Sequence, residues 1–186
     1  GMSGGVDSSV AAYLLKKEGY EVIGVTLQLC SNGEEDINLA KDVCNKLCIE
    51  HIVLDRREAF RKTVISDFIS TYEKGCTPNP CVLCNRVIKF EEMLRFANEI
   101  GADFVATGHY CKIINKDGRY LIKRPADLSK DQTYMLYKLT QEQLKRTLMP
   151  LSDYTKEQVR EIATKIGIST ADRPDSQDIC FVPDSD

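Results

Sequence analysis

The sequence predicts an α/β protein built on a parallel, doubly wound sheet. Short, nearly continuous apolar runs of strand length alternate with longer segments of helical periodicity. Alternation at these lengths implies right-handed crossovers and a sheet covered by helices on both faces. The chain has 186 residues, of which 42% are hydrophobic and 28% charged, so it fits one globular domain and is not disordered, collagenous or coiled-coil.

The predicted elements of the first hundred residues begin with a helix from Asp7 to Lys17. Its apolar positions Val10, Ala11 and Leu14 recur at helical spacing, and Gly19 stops it. The elements predicted next are strand 21–27, helix 36–47, strand 52–54, helix 57–72, helix 86–99 and strand 104–107.

The pattern changes after Gly108. Two strand-like runs, 110–114 and 120–123, flank an Asp117-Gly118 turn and predict a β-hairpin. Helices are predicted over 131–138, 141–146 and 155–166. The last begins with a capping box, Thr155 with Gln158.

Composition and charge restrict the function classes. Twenty-five Lys and Arg against 28 Asp and Glu leave a net charge of −3, so a nucleic-acid contact must come from a local patch. No apolar run approaches the roughly 18–20 residues of a membrane span, and no secretory leader opens the chain. We therefore expect a cytoplasmic protein without membrane association.

The chain has eight cysteines. In a reducing compartment, clustered cysteines favour metal binding or catalysis.

The segment Ser3-Gly4-Gly5-Val6-Asp7-Ser8-Ser9 leads directly into the first helix. Glycines allow backbone amides to approach a ligand, serines supply donors, and the helix N-terminus is partly positive, so the segment suits phosphate. It has neither the Walker A nor the Rossmann spacing. The alternative is a small-residue turn that only starts a helix. The string resembles the pyrophosphatase loop (PP-loop) of the N-type ATP pyrophosphatases, of the adenine-nucleotide alpha-hydrolase-like fold.

That resemblance implies ATP as a cofactor, Mg²⁺ to assist, and an adenylated oxygen on the substrate. Gly108 follows a predicted strand, at the sheet edge where open α/β sheets bind ligands. The residues that the resemblance assigns to ATP are Gly1, Met2, Ser3, Gly4, Gly5, Val6, Asp7, Ser8, Leu27 and Gly108.

A second string, 77–86, holds Cys81 and Cys84 in a loop stiffened by two prolines. Asn85 is predicted to cap the helix that follows, and Cys84, just before that helix, should have a lowered pKa. Half a zinc site and a thioredoxin-like redox pair are the alternatives for Cys-x-x-Cys. Cys30, Cys44, Cys48 and Cys111 are interpreted as small buried hydrophobic residues.

The third string, 175–182, taken alone predicts a short strand with one cysteine, Cys180. Together the three strings resemble the tRNA-specific 2-thiouridylase family, which replaces O2 of the wobble uridine by sulfur. Two more strings, 107–110 and 130–134, match that family. The resemblance makes Cys180 the persulfide carrier and Cys84 its catalytic partner. It assigns to tRNA the residues Asn79, Pro80, Cys81, His109, Lys130, Asp131 and Gln132.

One position departs from the family pattern. Cys81 stands where many members carry aspartate, so Cys81, Cys84 and Cys180 could together ligate a [4Fe–4S] cluster. Two mechanisms stay open, a persulfide relay fed by a sulfur-donor protein and sulfide transfer from a cluster. The third cysteine slightly favours the cluster.

The resemblance also predicts the domain organisation. Residues 1–109 would form the PP-loop ATP-binding domain, with its first strand missing, and 110–186 a hairpin and helical extension that carries the second active-site cysteine. The β-rich carboxyl-terminal tRNA-binding region of the family would be absent. The rival interpretations are an amidotransferase-type synthetase and a nucleotide-binding or redox module without thiolation activity.

Overall fold

The computed structural model describes residues 1–30, 33–168 and 179–182. Strands and helices alternate through the first hundred residues, as predicted. Helices α3 and α4 are continuous over 57–73 and 80–100, and each contains a π-helical segment, Arg61–Ile65 and Asn85–Phe90. The other elements of this half are α1 (Val6–Lys17), β1 (Ile23–Gln28), α2 (Glu34–Lys46), β2 (Glu50–Asp55) and β3 (Val105–Ala106).

The second half holds a hairpin and short helical pieces. Its elements are β4 (Lys112–Lys116), β5 (Arg119–Lys123), the 3₁₀ segments Leu128–Lys130 and Thr133–Met135, α5 (Gln141–Lys145), β6 (Thr147–Leu148) and α6 (Lys156–Lys165). The hairpin prediction is confirmed: Lys116 pairs with Arg119, and Asp117 and Gly118 both have positive φ. The predicted capping box of α6 is also confirmed.

Parallel pairing confirms the α/β fold class. β1 pairs with β2, with Val25 opposite Ile52, and β3 pairs with β6. The described strands form two separate parallel pairs instead of one continuous sheet. The first two residues lie between them: the Gly1 amino group donates to Ala106 O (2.7 Å) and Met2 N–H to Val25 O (2.8 Å). A cavity of about 340 Å³ opens beside this segment.

The predicted helix over 131–138 is wrong. Side chains compete for backbone N–H groups in and just before this range, because Asp131 accepts from Thr133 N and Asp127 from Ser129 N. Short 3₁₀ segments, Leu128–Lys130 and Thr133–Met135, form instead of the helix. The two-residue strand β6 was not predicted, because two residues are too few to show the alternation of apolar and polar residues that marks a strand.

Three hydrophobic cores hold the elements together. In the first, Val10 and Leu14 of α1 pack with Val43 of α2 and with Val159 and Ala163 of α6. The second also joins both halves, combining Phe90 and Val105 with Leu136 and Met149. The third contains Phe60, Val64, Cys84 and Ile88. The predicted domains 1–109 and 110–186 thus share cores. Within the described residues no helix is long and apolar enough to cross a membrane.

Candidate nucleotide and thiol site

The loop before α1 is held by its own serines. Ser8 Oγ donates to Gly5 O (3.0 Å) and accepts from Ser3 N (3.2 Å), and Ser9 Oγ also donates to Gly5 O (2.9 Å). Gly4 has φ +74°, and a Cβ there would stand 2.6 Å from Asp36 O on α2. The loop therefore has a fixed shape that needs glycine at position 4.

The backbone, more than the side chains, is what this loop offers to an anion. Met2 and Val6 point into the first core and are 4% and 3% exposed. No side chain caps the N-terminus of α1, so the partial positive charge of that helix end is not neutralised by a cap. The arrangement suits a phosphate bound through N–H groups.

Two further residues predicted to bind ATP lie at or just beyond the carboxyl ends of parallel strands. Leu27 lies at the carboxyl end of β1, and Gly108 lies two residues beyond β3. A Cβ on Gly108 would stand 2.7 Å from Asp7 C and from Ser8 N, so the chain after β3 packs directly on the start of α1. The structure brings together the predicted ATP residues of the loop and Gly108.

Asp7 is turned toward the second half of the chain. Its carboxylate accepts from Lys156 Nζ at 2.7 and 2.8 Å and from the Tyr110 hydroxyl at 2.9 Å. Sequence reasoning missed Lys156. No local pattern marks Lys156, because the pair joins positions 149 residues apart.

The two cysteines of the Cys-x-x-Cys string lie on α4. Asn79 is the N-cap of this helix, accepting from Val82 N at 3.4 Å, and Pro80 is its first residue. The helix thus begins six residues earlier than predicted. Cys81 is exposed, whereas Cys84 is buried at 6% exposure.

Two predictions for this segment are wrong. Asn85 does not cap a helix; it lies inside α4, 1% exposed, and its Nδ2 donates to Met135 O. Cys84 does not have a lowered pKa: burial raises the pKa of its thiol to about 12. The helix N-terminus that should favour a thiolate is one turn away, and desolvation outweighs it.

Cys180 lies in a turn, with Val182 N–H donating to Ile179 O at 2.9 Å, so the strand predicted here is wrong for 179–182. Residues 175–178 lie outside the described residues. Phe181 anchors the turn on α3, edge-to-face with Phe60 (centroids 5.6 Å apart) and Phe68 (5.1 Å).

The turn brings Cys180 to a group of four thiols, Cys30, Cys81, Cys84 and Cys180, which we call the thiol cluster. Each of Cys30, Cys81 and Cys180 acts electrostatically on Cys84 and raises its pKa further. Cys30, interpreted from sequence as a buried hydrophobe, is half-buried, and its Sγ lies 3.9 Å from Cys180 O. Its position just after a parallel strand was the signal for a functional role.

The remaining cysteines divide as follows. Cys44 and Cys111 are buried, in agreement with their interpretation as small hydrophobic residues, but Cys48 is exposed. Across residues 1–30, 33–168 and 179–182, no group of three Cys, His, Asp or Glu side chains is arranged to hold a metal ion. The predicted ligand set Cys81, Cys84 and Cys180 is gathered in one region without that arrangement.

Lys89 is a second residue that sequence reasoning missed. It is half-buried on α4, and its positive charge lowers the pKa of both Cys84 and Cys180, against the larger effect of burial. Lys89 follows Cys84 by five residues along a π-helical segment, a spacing that an ordinary α-helical pattern would not have brought to attention. It supplies the positive charge that a thiolate needs.

His109, predicted to contact tRNA, is half-buried beside Phe90, with its Nδ1 2.8 Å from Thr107 Oγ1. Burial lowers the pKa of this imidazole to about 3, and Lys89 adds to the effect. The ring is therefore neutral near pH 7. It can exchange hydrogen bonds with a base but cannot attract a phosphate as a cation.

The other predicted tRNA residues of the second half hold the fold in place. Gln132 Oε1 accepts from Tyr110 N at 2.8 Å, and Gln132 N donates to Tyr110 O. Asp131 pairs with Arg124 at 3.1 Å. Lys130 ends a 3₁₀ segment and is half-buried. Further along the chain, Tyr134 and Tyr137 are more than half exposed.

The fold and the loop define an α/β domain of the PP-loop type. Two solved structures share this fold at 20% sequence identity. An NMN synthetase from Francisella tularensis superposes with a TM-score of 0.59 over 94% of this chain and 64% of its own. The U34-tRNA thiolase NcsA from Methanococcus maripaludis, solved with its [4Fe–4S] cluster, superposes with a TM-score of 0.61 over 96% and 58%.

The chain belongs to the family described as tRNA methyl transferase HUP domain, whose family model matches residues 1–184. A tRNA-specific 2-thiouridylase of Clostridium tetani is 53% identical over the whole chain. One of Clostridium botulinum strain Eklund 17B is 52% identical. The chain covers 54% and 55% of these relatives, so it spans about half the length of the proteins it matches.

Proposed function

We propose that this protein catalyses ATP-dependent 2-thiolation of a tRNA wobble uridine. The observation that carries the proposal is that a loop suited to phosphate and a thiol cluster both lie beside the carboxyl ends of parallel strands. Gly108 packs on the loop while Cys30 follows β1 and contacts Cys180. Relatives with about 50% identity, named as 2-thiouridylases, support the same activity.

ATP would lie along the loop, with its phosphates on the backbone from Ser3 to Ser8 and its nucleoside near Leu27 and Gly108. Mg²⁺ would neutralise the phosphates. The uridine O2 attacks the α-phosphorus, the bond to pyrophosphate breaks, and pyrophosphate leaves from the N-terminus of α1, whose partial positive charge stabilises it. The adenylated O2 is then a good leaving group.

Sulfur would arrive as a persulfide on Cys180, delivered by a cysteine desulfurase or a relay protein. The exposed turn 179–182 is accessible to such a donor. The outer sulfur attacks C2, a C–S bond forms, and AMP leaves with the electron pair of the C2–O bond. Cys84 would then attack Cys180 Sγ, so that a Cys84–Cys180 disulfide forms and the electron pair of the broken S–S bond stays on the sulfur at C2. A dithiol reductant would restore both thiols. Lys89 would stabilise the persulfide anion.

The competing route is sulfide transfer from a [4Fe–4S] cluster on Cys81, Cys84 and Cys180. The exposed extra thiol at Cys81 favours it, and so does the cluster named for the thiolase NcsA. Against it, the described residues hold no three side chains arranged for a metal. We favour the persulfide. Iron and sulfide assays after anaerobic purification decide between the routes, since active, iron-free protein excludes the cluster.

The target base would leave its stack to reach Cys180, because C2 is inaccessible inside a stacked helix. Asn79, Pro80 and Cys81 at the start of α4 would meet the base. Neutral His109 would offer a hydrogen bond, and Lys130, Asp131 and Gln132 would shape the segment that meets tRNA.

We propose residues 1–109 as the ATP-binding domain, 110–186 as its extension, and the cytoplasm as the site of action.

The test separates adenylation from sulfur transfer. Cys180→Ser should keep tRNA-dependent pyrophosphate release from ATP and lose 2-thiouridine formation, whereas exposed Cys48→Ser should keep both. An amidotransferase-type synthetase would release pyrophosphate without tRNA and would tolerate Cys180→Ser. A nucleotide-binding or redox module would release none. Either result would refute the proposal.

A further inference from the structure

Asp7, at the start of α1, is held by two residues from the second half of the chain. The Tyr110 hydroxyl donates to its Oδ1 at 2.9 Å, and Lys156 Nζ donates to both carboxylate oxygens. Tyr110 is 2% exposed and belongs to the first core. Hydrogen bonds to an ionised carboxylate are short and strong, so these two donors fix where the loop ends and α1 begins.

The backbone of Tyr110 is held in turn by Gln132, one of the residues proposed to meet tRNA. Gln132 Oε1 accepts from Tyr110 N at 2.8 Å, and Gln132 N donates to Tyr110 O at 3.0 Å. Both main-chain groups of Tyr110 therefore bond to the same residue, while its phenol bonds to Asp7. One buried residue thus contacts the segment proposed to meet tRNA and the carboxylate at the end of the proposed phosphate-binding loop.

The second donor to Asp7 is bonded to the other end of the same segment. Lys156 N donates to Asp127 Oδ2 at 2.9 Å, and Asp127 Oδ1 accepts from Ser129 N at 3.0 Å. Residues 127–132 are therefore joined to Asp7 twice, through Tyr110 and through Lys156. Because the connecting groups are buried and packed, a shift of this segment moves the groups that hold Asp7 or breaks their hydrogen bonds.

We propose that Tyr110 is a positioning residue that makes ATP binding and tRNA binding depend on each other. The inference rests on the proposed function, with phosphates on the loop and tRNA on 130–132, and adds the link between the two sites. tRNA that fixes the segment holds the Tyr110 backbone, and the phenol then holds Asp7 and the end of the loop in the orientation that binds phosphates. Because coupling between two binding sites is reciprocal, ATP strengthens tRNA binding by the same factor.

Tyr110→Phe tests the link because it removes one hydroxyl and keeps the buried ring. Lys156 remains on Asp7 in this variant, so the loop keeps its cation. The dissociation constant of α,β-methylene-ATP with Mg²⁺ is measured by calorimetric titration, with and without saturating unmodified tRNA. We expect tRNA to lower this constant at least about tenfold in the unsubstituted protein and less than about threefold in Tyr110→Phe. Tyr13 of α1 is half-buried against the same core, and the matched control Tyr13→Phe should keep the full effect.

The ratio of the two dissociation constants distinguishes positioning from a merely structural role. A structural role of the hydroxyl would weaken nucleotide binding equally with and without tRNA, so an unchanged ratio in Tyr110→Phe overturns the inference. Equal loss of the tRNA effect in Tyr13→Phe also overturns it. The reciprocal titration should show the analogue lowering the tRNA dissociation constant by the same factor, and by less in Tyr110→Phe.

The unsubstituted protein separates failure of the inference from failure of the proposed function. If its pyrophosphate release from ATP requires tRNA but tRNA leaves the affinity for the analogue unchanged, the inference fails and the proposed function stands. If it does not bind tRNA, or releases pyrophosphate at the same rate without tRNA, the proposed function fails and the inference with it.

Discussion

The Nζ atom of Lys156 lies 2.7 and 2.8 Å from the two carboxylate oxygens of Asp7, joining positions 149 residues apart. The Lys156 side chain is 6% exposed and that of Asp7 29%. The pair ties the start of α1, directly after the proposed phosphate-binding loop, to the first turn of α6. Tyr110 adds a hydrogen bond to the same carboxylate. The loop is thus positioned by the second half of the chain.

Replacing Lys156 by Met should destabilise the fold and the loop together. The change leaves the Asp7 carboxylate without its buried cation, which costs roughly 3 kcal/mol of unfolding free energy when a buried pair is broken. Urea denaturation measures the loss. Lys165→Met, an exposed position at the end of α6, is the matched control and should change stability by less than about 0.5 kcal/mol. Equal stability of the two variants would contradict the role of the pair.

Replacing Gly108 by Ala should weaken ATP binding. A Cβ there stands 2.7 Å from backbone atoms of Asp7 and Ser8, so the loop must shift. We expect the dissociation constant for ATP to rise at least tenfold, about 1.4 kcal/mol. Calorimetric titration with ATP and Mg²⁺ checks this. Gly33→Ala should leave affinity unchanged, because a Cβ there meets only Cys30 O at 3.9 Å. Unchanged binding by Gly108→Ala would show that the loop tolerates displacement.

Replacing Phe181 by Leu should impair sulfur transfer while leaving adenylation intact; these are the two half-reactions of the proposed activity. The change removes edge-to-face contacts with Phe60 and Phe68 and loosens the turn that carries Cys180. We expect 2-thiouridine formation to fall about tenfold or more while tRNA-dependent pyrophosphate release continues, since the loop is unaffected. Tyr72→Leu removes another edge contact with Phe68 and serves as the control. Parallel loss of both half-reactions would argue against a separate sulfur-carrying turn.

His109 should make the protein less stable in mild acid. Its pKa is lowered from 6.5 to about 3 in the folded state, so below pH 6.5 the unfolded chain binds a proton that the folded chain does not. Stability that is complete above pH 6.5 is then lost as the pH falls toward 3, at up to about 1.4 kcal/mol per pH unit. Urea denaturation at pH 7 and pH 5 should show a smaller difference for His109→Gln than for the unsubstituted protein. An unchanged difference would place the imidazole in solvent.

The order of elements was predictable because apolar runs and helical periodicity are local signals. The hairpin at Asp117 and the capping box at Thr155 were found for the same reason, since turn and cap chemistry act over a few residues. The helix expected over 131–138 failed because Asp127 and Asp131 bind nearby N–H groups.

The candidate site was only partly predictable. The loop and the cysteines stand out as strings, but the Asp7–Lys156 pair and the Cys30–Cys180 contact join positions 149 and 150 residues apart. The pKa of Cys84 was misjudged because the helix starts at Pro80, which places the thiol in a core instead of at a helix end. Burial is set by tertiary packing, which no local pattern reveals.

The most direct test of the proposed function is mass analysis of tRNA nucleosides after incubation of the purified protein with ATP, Mg²⁺, unmodified tRNA and a persulfide donor. We expect 2-thiouridine at the wobble position, formed with equal amounts of AMP and pyrophosphate and absent without ATP. Pyrophosphate release that is independent of tRNA, or complete conversion of ATP without any thiolated nucleoside, would contradict it.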